Sequence, residues 1–366
     1  MNIALKTNQP IYDPDKTYGD NFDNGPFGGF AEPGVYKNSG EPKYSFLGVP
    51  IYSSFGIPAG PLLNSNYVIA ALNKGFDVVC YKTQRSVEFD CNAFPNVLYV
   101  DVEGDLTLDK AANPQLGKRT TTRDTARLTI TNSFGNPSRG PKFWVDDLAK
   151  AIEYQPKGQL IIASVVGTIK PGFTDEDYFS DFAIAAGLAK DAGAKAIEIN
   201  LSCPNVANEG VLCYTPKAVE RICKKVKQSI GKTPLIVKLG YFSNDQQELL
   251  ETVVGAMSPF VSAISAINTI PASIVDEHGK QALPGSNRLK SGLCGAGVKW
   301  AGIDIVKRLN QLRQQLGLNY EIIGVGGVMG VKDFNEYRRA GADVVQSATG
   351  AMWNSELAIE IKKSLK

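Results

Sequence analysis

The sequence predicts a (β/α)8 barrel of the TIM class, and three observations predict it. Eight short β-prone runs alternate with amphipathic helical segments along most of the 366 residues. The seventh run leads into glycines, and the eighth ends in small residues. The fourth run ends in a cluster of amides and a thiol, where a barrel keeps its reactive groups. A doubly wound sheet is the alternative, weakened by the absence of a G-x-G-x-x-G turn after the first run.

Residues 1–45 are polar and rich in Gly, Asn, Asp and Pro, as in Asp13-Pro-Asp-Lys and Asn24-Gly-Pro-Phe-Gly-Gly, and read as an irregular extension. Its aromatics, Tyr12, Tyr18, Phe22, Phe27 and Phe30, imply that it packs on something. Residues 46–366 read as the barrel. The strand runs are Ser54–Ala59, Val78–Lys82, Leu160–Val166, Ala196–Leu201, Leu235–Leu239, Val261–Asn268, Glu321–Val325 and Val344–Ala348. Helical spacing appears in Tyr67–Asn73, Asp177–Asp191, Thr215–Ile230, Asn244–Met257, Gly302–Leu316 and Lys332–Ala340. Residues 84–159 exceed an ordinary connection and read as an insertion above the C-terminal mouth, where long loops build sites.

Composition narrows the function classes. The chain is 43% hydrophobic and 21% charged, with net charge +2, so no electrostatic case exists for nucleic acid. No apolar run approaches the roughly 18–20 residues that span a bilayer. The first residues lack the apolar core of a signal peptide. Six cysteines without a Cys-x-x-Cys pair suggest reduced thiols in a cytoplasmic protein, with no iron–sulfur or zinc site. The one histidine, His278, sits in a turn-like Asp276-Glu-His-Gly-Lys280, so acid–base work falls to Cys, Lys, Asp or Glu.

Four constellations could carry chemistry. Ile322-Ile-Gly-Val-Gly-Gly-Val-Met-Gly330 and Val344-Val-Gln-Ser-Ala-Thr-Gly350 fit a phosphate cradle, although any one glycine pair is also plain turn punctuation. Lys82 and Lys238 lie near strand ends, where a buried ammonium needs an anion; a structural ion pair with Glu198 is the bland reading. Asn132, Asn200, Asn205 and Asn268 could together hold a flat ligand with alternating C=O and N–H groups, such as a pyrimidine dione; singly, each is an ordinary turn residue. Cys203 follows Asn200-Leu-Ser202 and precedes Pro204-Asn205. Most cysteines are inert core thiols, the reading for Cys80, Cys91, Cys213, Cys223 and Cys294. Cys203 suits proton transfer better than a Cys–His nucleophile.

Asn200-Leu-Ser-Cys-Pro-Asn205 resembles the active-site motif of the dihydroorotate dehydrogenases, in the soluble class whose base is cysteine. The membrane-associated class carries serine there. The resemblance runs from about Gly56 to Glu360. Pro58-Ala-Gly60 is similar to the family's first strand end, and Val79-Cys-Tyr-Lys-Thr83 to its Lys-Ser/Thr strand end. Asn132-Ser-Phe-Gly-Asn-Pro-Ser138 is similar to the substrate loop, with Ser138 in place of the usual final Asn. Val237-Lys-Leu, Ile267-Asn-Thr269, Ser291-Gly-Leu-Cys-Gly295 and Gly326-Gly327 also correspond. Ser347-Ala-Thr349 departs from the usual Gly-Thr.

The resemblance implies FMN-dependent oxidation of (S)-dihydroorotate to orotate, a step of pyrimidine biosynthesis. It makes Cys203 and Lys82 catalytic. It assigns substrate to Lys82, Asn132, Phe134, Gly135, Asn136, Asn200, Asn205, Asn268 and Thr269. It assigns FMN to Ala59, Gly60, Lys82, Thr83, Asn200, Lys238, Asn268, Gly292, Gly295, Gly326, Gly327, Ala348 and Thr349. It further implies a cytoplasmic homodimer, reoxidised by fumarate, with no membrane and no metal. Three rivals share the barrel. A dihydropyrimidine dehydrogenase-like enzyme needs iron–sulfur and NADPH modules, and a tRNA dihydrouridine synthase needs a basic RNA surface. A binding-only flavin barrel is disfavoured by intact Cys203 among four amides. An NAD-linked enzyme with a partner subunit leaves no mark in the sequence.

Overall fold

The structure, a computed structural model, describes residues 9–202, 212–286 and 288–365. Eight parallel strands close into a barrel: β1 (Phe55–Ile57), β2 (Val78–Gln84), β3 (Leu160–Val165), β4 (Ile197–Asn200), β5 (Leu235–Leu239), β6 (Ala263–Ala266), β7 (Glu321–Val325) and β8 (Val344–Gln346). They pair in chain order, and β8 closes on β1 through Val345↔Phe55 and Gln346↔Gly56. All fall on the predicted runs, with β2 extended to Gln84. Both faces of such strands are covered, which is why they read as nearly continuous apolar runs.

The strands are linked by α1 (Ser65–Asn73), α2 (Pro141–Tyr154), α3 (Asp175–Asp191), α4 (Pro216–Ile230), α5 (Gln247–Met257), α6 (Lys299–Gln315) and α7 (Val331–Ala340), and α8 (Leu357–Ser364) ends the described chain. Local chemistry sets their ends. Asn64 caps α1 by accepting from the N–H groups of Asn66 and Tyr67. Thr174 and Asp177 form a capping box on α3. Pro141 and Pro216 occupy first-turn positions, where a missing N–H is harmless. Among the described residues, no helix is long and apolar enough to cross a membrane.

The stretch 84–159, read from sequence as one excursion, divides into two parts. Its end, α2, is the crossover helix between β2 and β3, a helix absent from the sequence reading. The rest joins a sheet above the mouth. Val97–Val100, Gln115–Lys118 and Thr129–Asn132 combine with Ile270–Val275 and Lys290–Gly295 from the β6–α6 connection. The five strands close on themselves through Ile274↔Gln115. The N-terminal segment is also less irregular than its composition suggests. Tyr18–Asn24 is helical, with a capping box between Thr17 and Asp20, and Ile11, Tyr12, Phe22 and Phe30 are buried.

A hairpin of Tyr44–Phe46 and Val49–Ile51 plugs the bottom of the barrel. Its turn residues Leu47 and Gly48 both have positive φ, +50° and +78°, the geometry that matches strand twist. Phe46 and Ile51 pack into one interior cluster with Val78, Cys80, Leu160, Ile162, Ala196, Ile236, Ala263, Ile323 and Val344. Inward positions recur every second residue along a strand. One step toward the C-terminal ends, the same rows therefore continue as Lys82, Ser164, Glu198, Lys238, Ser265 and Gln346, all buried. The interior is apolar at the bottom and polar at the top.

Phe46 is fully buried. Phe46→Ala is expected to lower unfolding free energy by about 3–5 kcal/mol. The denaturant midpoint at unchanged m-value measures it.

Candidate active site

A cavity of about 950 Å³, including its open mouth, lies between the polar top of the barrel and the overlying sheet. The chain reaches it from nearly every barrel strand. Ala59 and Gly60 come from the end of β1, Lys82 and Thr83 from β2, Asn200 from β4 and Lys238 from β5. Asn268 and Thr269 follow β6, and Ala348 and Thr349 follow β8. Asn132, Phe134, Gly135 and Asn136 descend from the sheet above.

Lys82 and Lys238 are each only 4% exposed. Lys238 makes no hydrogen bond or ion pair with any described residue. Glu198, the bland partner for these lysines, takes a hydrogen bond from Ser164 Oγ at 2.9 Å instead, and its Oε2 has no hydrogen-bond partner among the described residues. Ser164 in turn meets Thr83 Oγ1 at 3.0 Å. The Thr269 hydroxyl is buried on the cavity wall without a hydrogen-bond partner among the described residues. An uncompensated cation and an orphaned hydroxyl facing one cavity call for a polar, electron-rich ligand.

Asn200 organises the turn that leads into Cys203. Its Oδ1 accepts from Ser202 N at 3.2 Å, Ser202 Oγ at 3.3 Å and Asn268 Nδ2 at 3.4 Å. Asn268 Nδ2 also reaches Ser202 O at 3.2 Å. The two amides thus hold β4 and β6 together at the strand ends. Cys203 and Asn205 themselves lie outside the described residues.

The loop after Asn132 is held by two arginines that the sequence reading passed over. Fully buried Arg85, at the end of β2, donates to Asn136 O at 3.0 Å, Gly135 O at 3.3 Å and Gly167 O at 2.9 Å. Arg288 donates to Ser133 Oγ and Ser133 O, each at 3.0 Å, and to Pro95 O at 3.0 Å. Gly135 and Asn136 take positive φ, +79° and +53°, which glycine and asparagine tolerate. The one sequence signal for Arg85 was its place three residues beyond Lys82 on a buried strand. Arg288 carried none.

Not every expected glycine borders the cavity. Gly292, Gly295 and Gly326 are not on its wall, and Gly327 borders a neighbouring space beside Lys299. A Cβ at Gly292 would lie 2.3 Å from Thr269 Oγ1, so glycine there permits close packing of the sheet on the site. Ser347, the departure from Gly-Thr, donates to Val328 O at 2.6 Å and accepts from Ala351 N at 3.0 Å. It ties the loop after β7 to the loop after β8. Cys294 is on the wall, where its sulfur receives Asn132 Nδ2 at 3.4 Å and Thr349 Oγ1 at 3.5 Å. Burial pushes its thiol up, away from nucleophilic use, and pushes Cys91 up to about 11. His278 is exposed, beside Glu277.

Residues 107–366 match the family model for dihydroorotate dehydrogenase. A dihydroorotate dehydrogenase of Dictyostelium discoideum is 37% identical over 361 residues, 96% of each chain. This chain belongs to the dihydroorotate dehydrogenase family. Two further members of that family match at lower identity. The dihydroorotate dehydrogenase A (fumarate) of Lactobacillus delbrueckii is 30% identical over 63% of this chain and 68% of its own. The dihydroorotate dehydrogenase B (NAD(+)), catalytic subunit, of Caldicellulosiruptor bescii is 30% identical over 65% and 72%.

Dihydroorotate dehydrogenases are flavin enzymes, and the residues present suit a flavin. The cavity offers an unpaired ammonium, an unpartnered hydroxyl, amide groups and a bare backbone wall at Gly60, where a Cβ would meet nothing within 4 Å. Val97, Ile130, Val325 and Met352 add apolar side chains to the wall.

Because Lys238 has no partner to lose, Lys238→Met should leave the thermal midpoint of the flavin-free protein unchanged or raised. Flavin binding should weaken by about 1.5–3 kcal/mol, the worth of a hydrogen bond to a charged group. Calorimetry of the free protein and a flavin titration read the two effects separately.

Proposed function

We propose that this protein oxidises (S)-dihydroorotate to orotate with FMN as its bound cofactor. The observation that carries the reading is the unpaired Lys238 ammonium, which shares one cavity with Asn132, Asn200, Asn268 and Thr269 beside the turn into Cys203. FMN, when bound, supplies the two-electron oxidation by accepting the hydride of substrate C6.

The protein's residues do the rest. Cys203, as thiolate, removes the C5 proton. Cys203 directly follows Ser202, which Asn200 holds, and that sequence position supports the role. A free thiol with pKa of about 8.5 is mostly protonated at neutral pH. Proton removal therefore favours alkaline conditions, or a thiol depressed by nearby positive charge. Lys82 faces the substrate carboxylate, and Lys238 neutralises charge at the pyrimidine edge of the cofactor. Asn132, Asn205, Asn268 and Thr269 hold the substrate ring, with Phe134, Gly135 and Asn136 covering it. Ala59, Gly60, Thr83, Ala348 and Thr349 would hold the cofactor, and Gly326 and Gly327 are the candidates for its phosphate.

The same lysine and amides suit a dicarboxylate, so fumarate re-enters the orotate site and leaves as succinate. Similarity to a fumarate-named enzyme supports this reading. An NAD-linked reading has equal support from similarity to the catalytic subunit of such an enzyme. The proposal includes a cytoplasmic homodimer, which sedimentation would measure.

The purified protein should be yellow, and a preparation that stays colourless after FMN is added would sink the reading. Cys203→Ala should keep FMN and slow its reduction by dihydroorotate about 10²-fold or more. Stopped-flow absorbance at the wild-type rate would place the base elsewhere. Asn132→Ala and Asn268→Ala should each weaken orotate binding by roughly 1–3 kcal/mol, since a buried ligand group loses its partner.

The oxidant is tested by photoreducing the enzyme without air and adding fumarate, NAD or a short-chain quinone separately. Rapid reoxidation by fumarate is expected, with orotate competing. Reoxidation by NAD or quinone alone would reverse this assignment and leave the first half-reaction intact.

A further inference from the structure

We infer that Tyr12 is a wall of the ligand cavity and that, with Tyr18, it is a positioning residue for the loop covering the ligand. The family model begins at residue 107, so this N-terminal segment lies outside it. Yet Tyr12 lines the cavity and is 2% exposed. Its ring meets Phe134 edge-on, with centroids 5.4 Å apart at 88°. Tyr18 meets the same Phe134 at 6.0 Å and 61°. Phe134 is itself a cavity wall, between Asn132 and the Gly135-Asn136 turn. The two tyrosines therefore brace the one large side chain of the loop.

The segment is anchored well enough to do this. Ile11 N donates to Met352 O at 2.8 Å, and Met352 is another cavity wall. Phe27 N donates to Ile11 O at 3.0 Å, which closes the segment on itself. Asp13 N donates to Asn21 Oδ1 at 2.7 Å, and Asn21 Nδ2 returns to Asp13 O at 3.0 Å. At the far end of the loop, Arg139 pairs with Asp23 at 2.9 Å and lies 4.4 Å over the Phe22 ring. The loop is gripped from below by arginines through its carbonyls and from outside by tyrosines through its ring. The Tyr12 hydroxyl has no hydrogen-bond partner among the described residues, and its contact with Phe134 is made by the ring.

The inference rests on the orotate-site reading of the cavity. Its test uses the FMN-loaded enzyme and an orotate titration followed by flavin absorbance. Tyr12→Ala, and Tyr12→Leu as the variant that keeps the apolar anchor, should weaken orotate about five- to tenfold, the scale of an aromatic pair and its packing. Tyr12→Phe should stay within about twofold, because the contact with Phe134 is made by the ring, which phenylalanine keeps. In a Phe134→Ala background, Tyr12→Leu should add no further loss, since its effect passes through that ring. Equal losses in Tyr12→Phe and Tyr12→Leu, or fully additive losses with Phe134→Ala, would overturn the inference. Asn132→Ala separates the two levels. If it weakens orotate while Tyr12→Leu does not, the positioning role fails alone. If it leaves orotate binding unchanged, the reading of the site itself fails.

Discussion

Lys238 stands on a strand covered from both sides, 4% exposed, with no acceptor among the described residues. Burying an ammonium in that way is expensive unless something else compensates it. The described residues give it no hydrogen bond or ion pair, and Glu198 meets Ser164 through one of its oxygens. The cavity above the strand ends must therefore receive an electron-rich group. This one constraint explains why the mouth is roofed by a separate sheet. A cation exposed to bulk water would need no partner and would discriminate little, whereas a roofed one is strengthened by the lower dielectric around it.

The roof is built from pieces far apart in the chain, and this limited what the sequence could show. The eight barrel strands were legible because each is a short apolar run bounded by turns and followed by a helix of clear spacing. Lys82, Lys238 and Asn200 were legible because a polar residue in such a run stands out. The sheet over the mouth was not, because its closure depends on Ile274 meeting Gln115 across more than half the barrel's connections. Its strands carry Pro271, Ser273 and Gly292, which read as loop. Helix α2 was hidden by its neighbours, since a long stretch without periodicity before it made the whole of 84–159 look like insertion. Tyr12 offered only aromaticity in a polar segment, a reason to pack but no indication of where.

The loop at Asn132–Ser138 illustrates how backbone and side chain share the work of preorganisation. A ligand-covering loop gains affinity when its bound conformation is already paid for. Arg85 and Arg288 hold its carbonyls, and these contacts are indifferent to the side chains displayed. The tyrosines fix where the Phe134 ring sits. Those two kinds of restraint act on different degrees of freedom. The first sets the loop's path, and the second sets the shape of the cavity wall.

The layer beneath the cavity argues the same point from stability. Rows that are apolar at Val78, Leu160, Ala196 and Ala263 turn polar at Lys82, Ser164, Glu198 and Ser265. Within this layer Glu198 Oε2, Ser265 Oγ and Gln346 Oε1 have no hydrogen-bond partner among the described residues. Each orphaned buried group costs on the order of 1–3 kcal/mol. Leucine or valine in these rows would extend the packing already achieved around Phe46 and Ile51 and remove that cost. A barrel interior shaped only for stability would not stop being apolar one residue short of its mouth. It stops there because the mouth presents polar groups to a ligand, and the apolar plug below supplies the stability that the polar layer gives up.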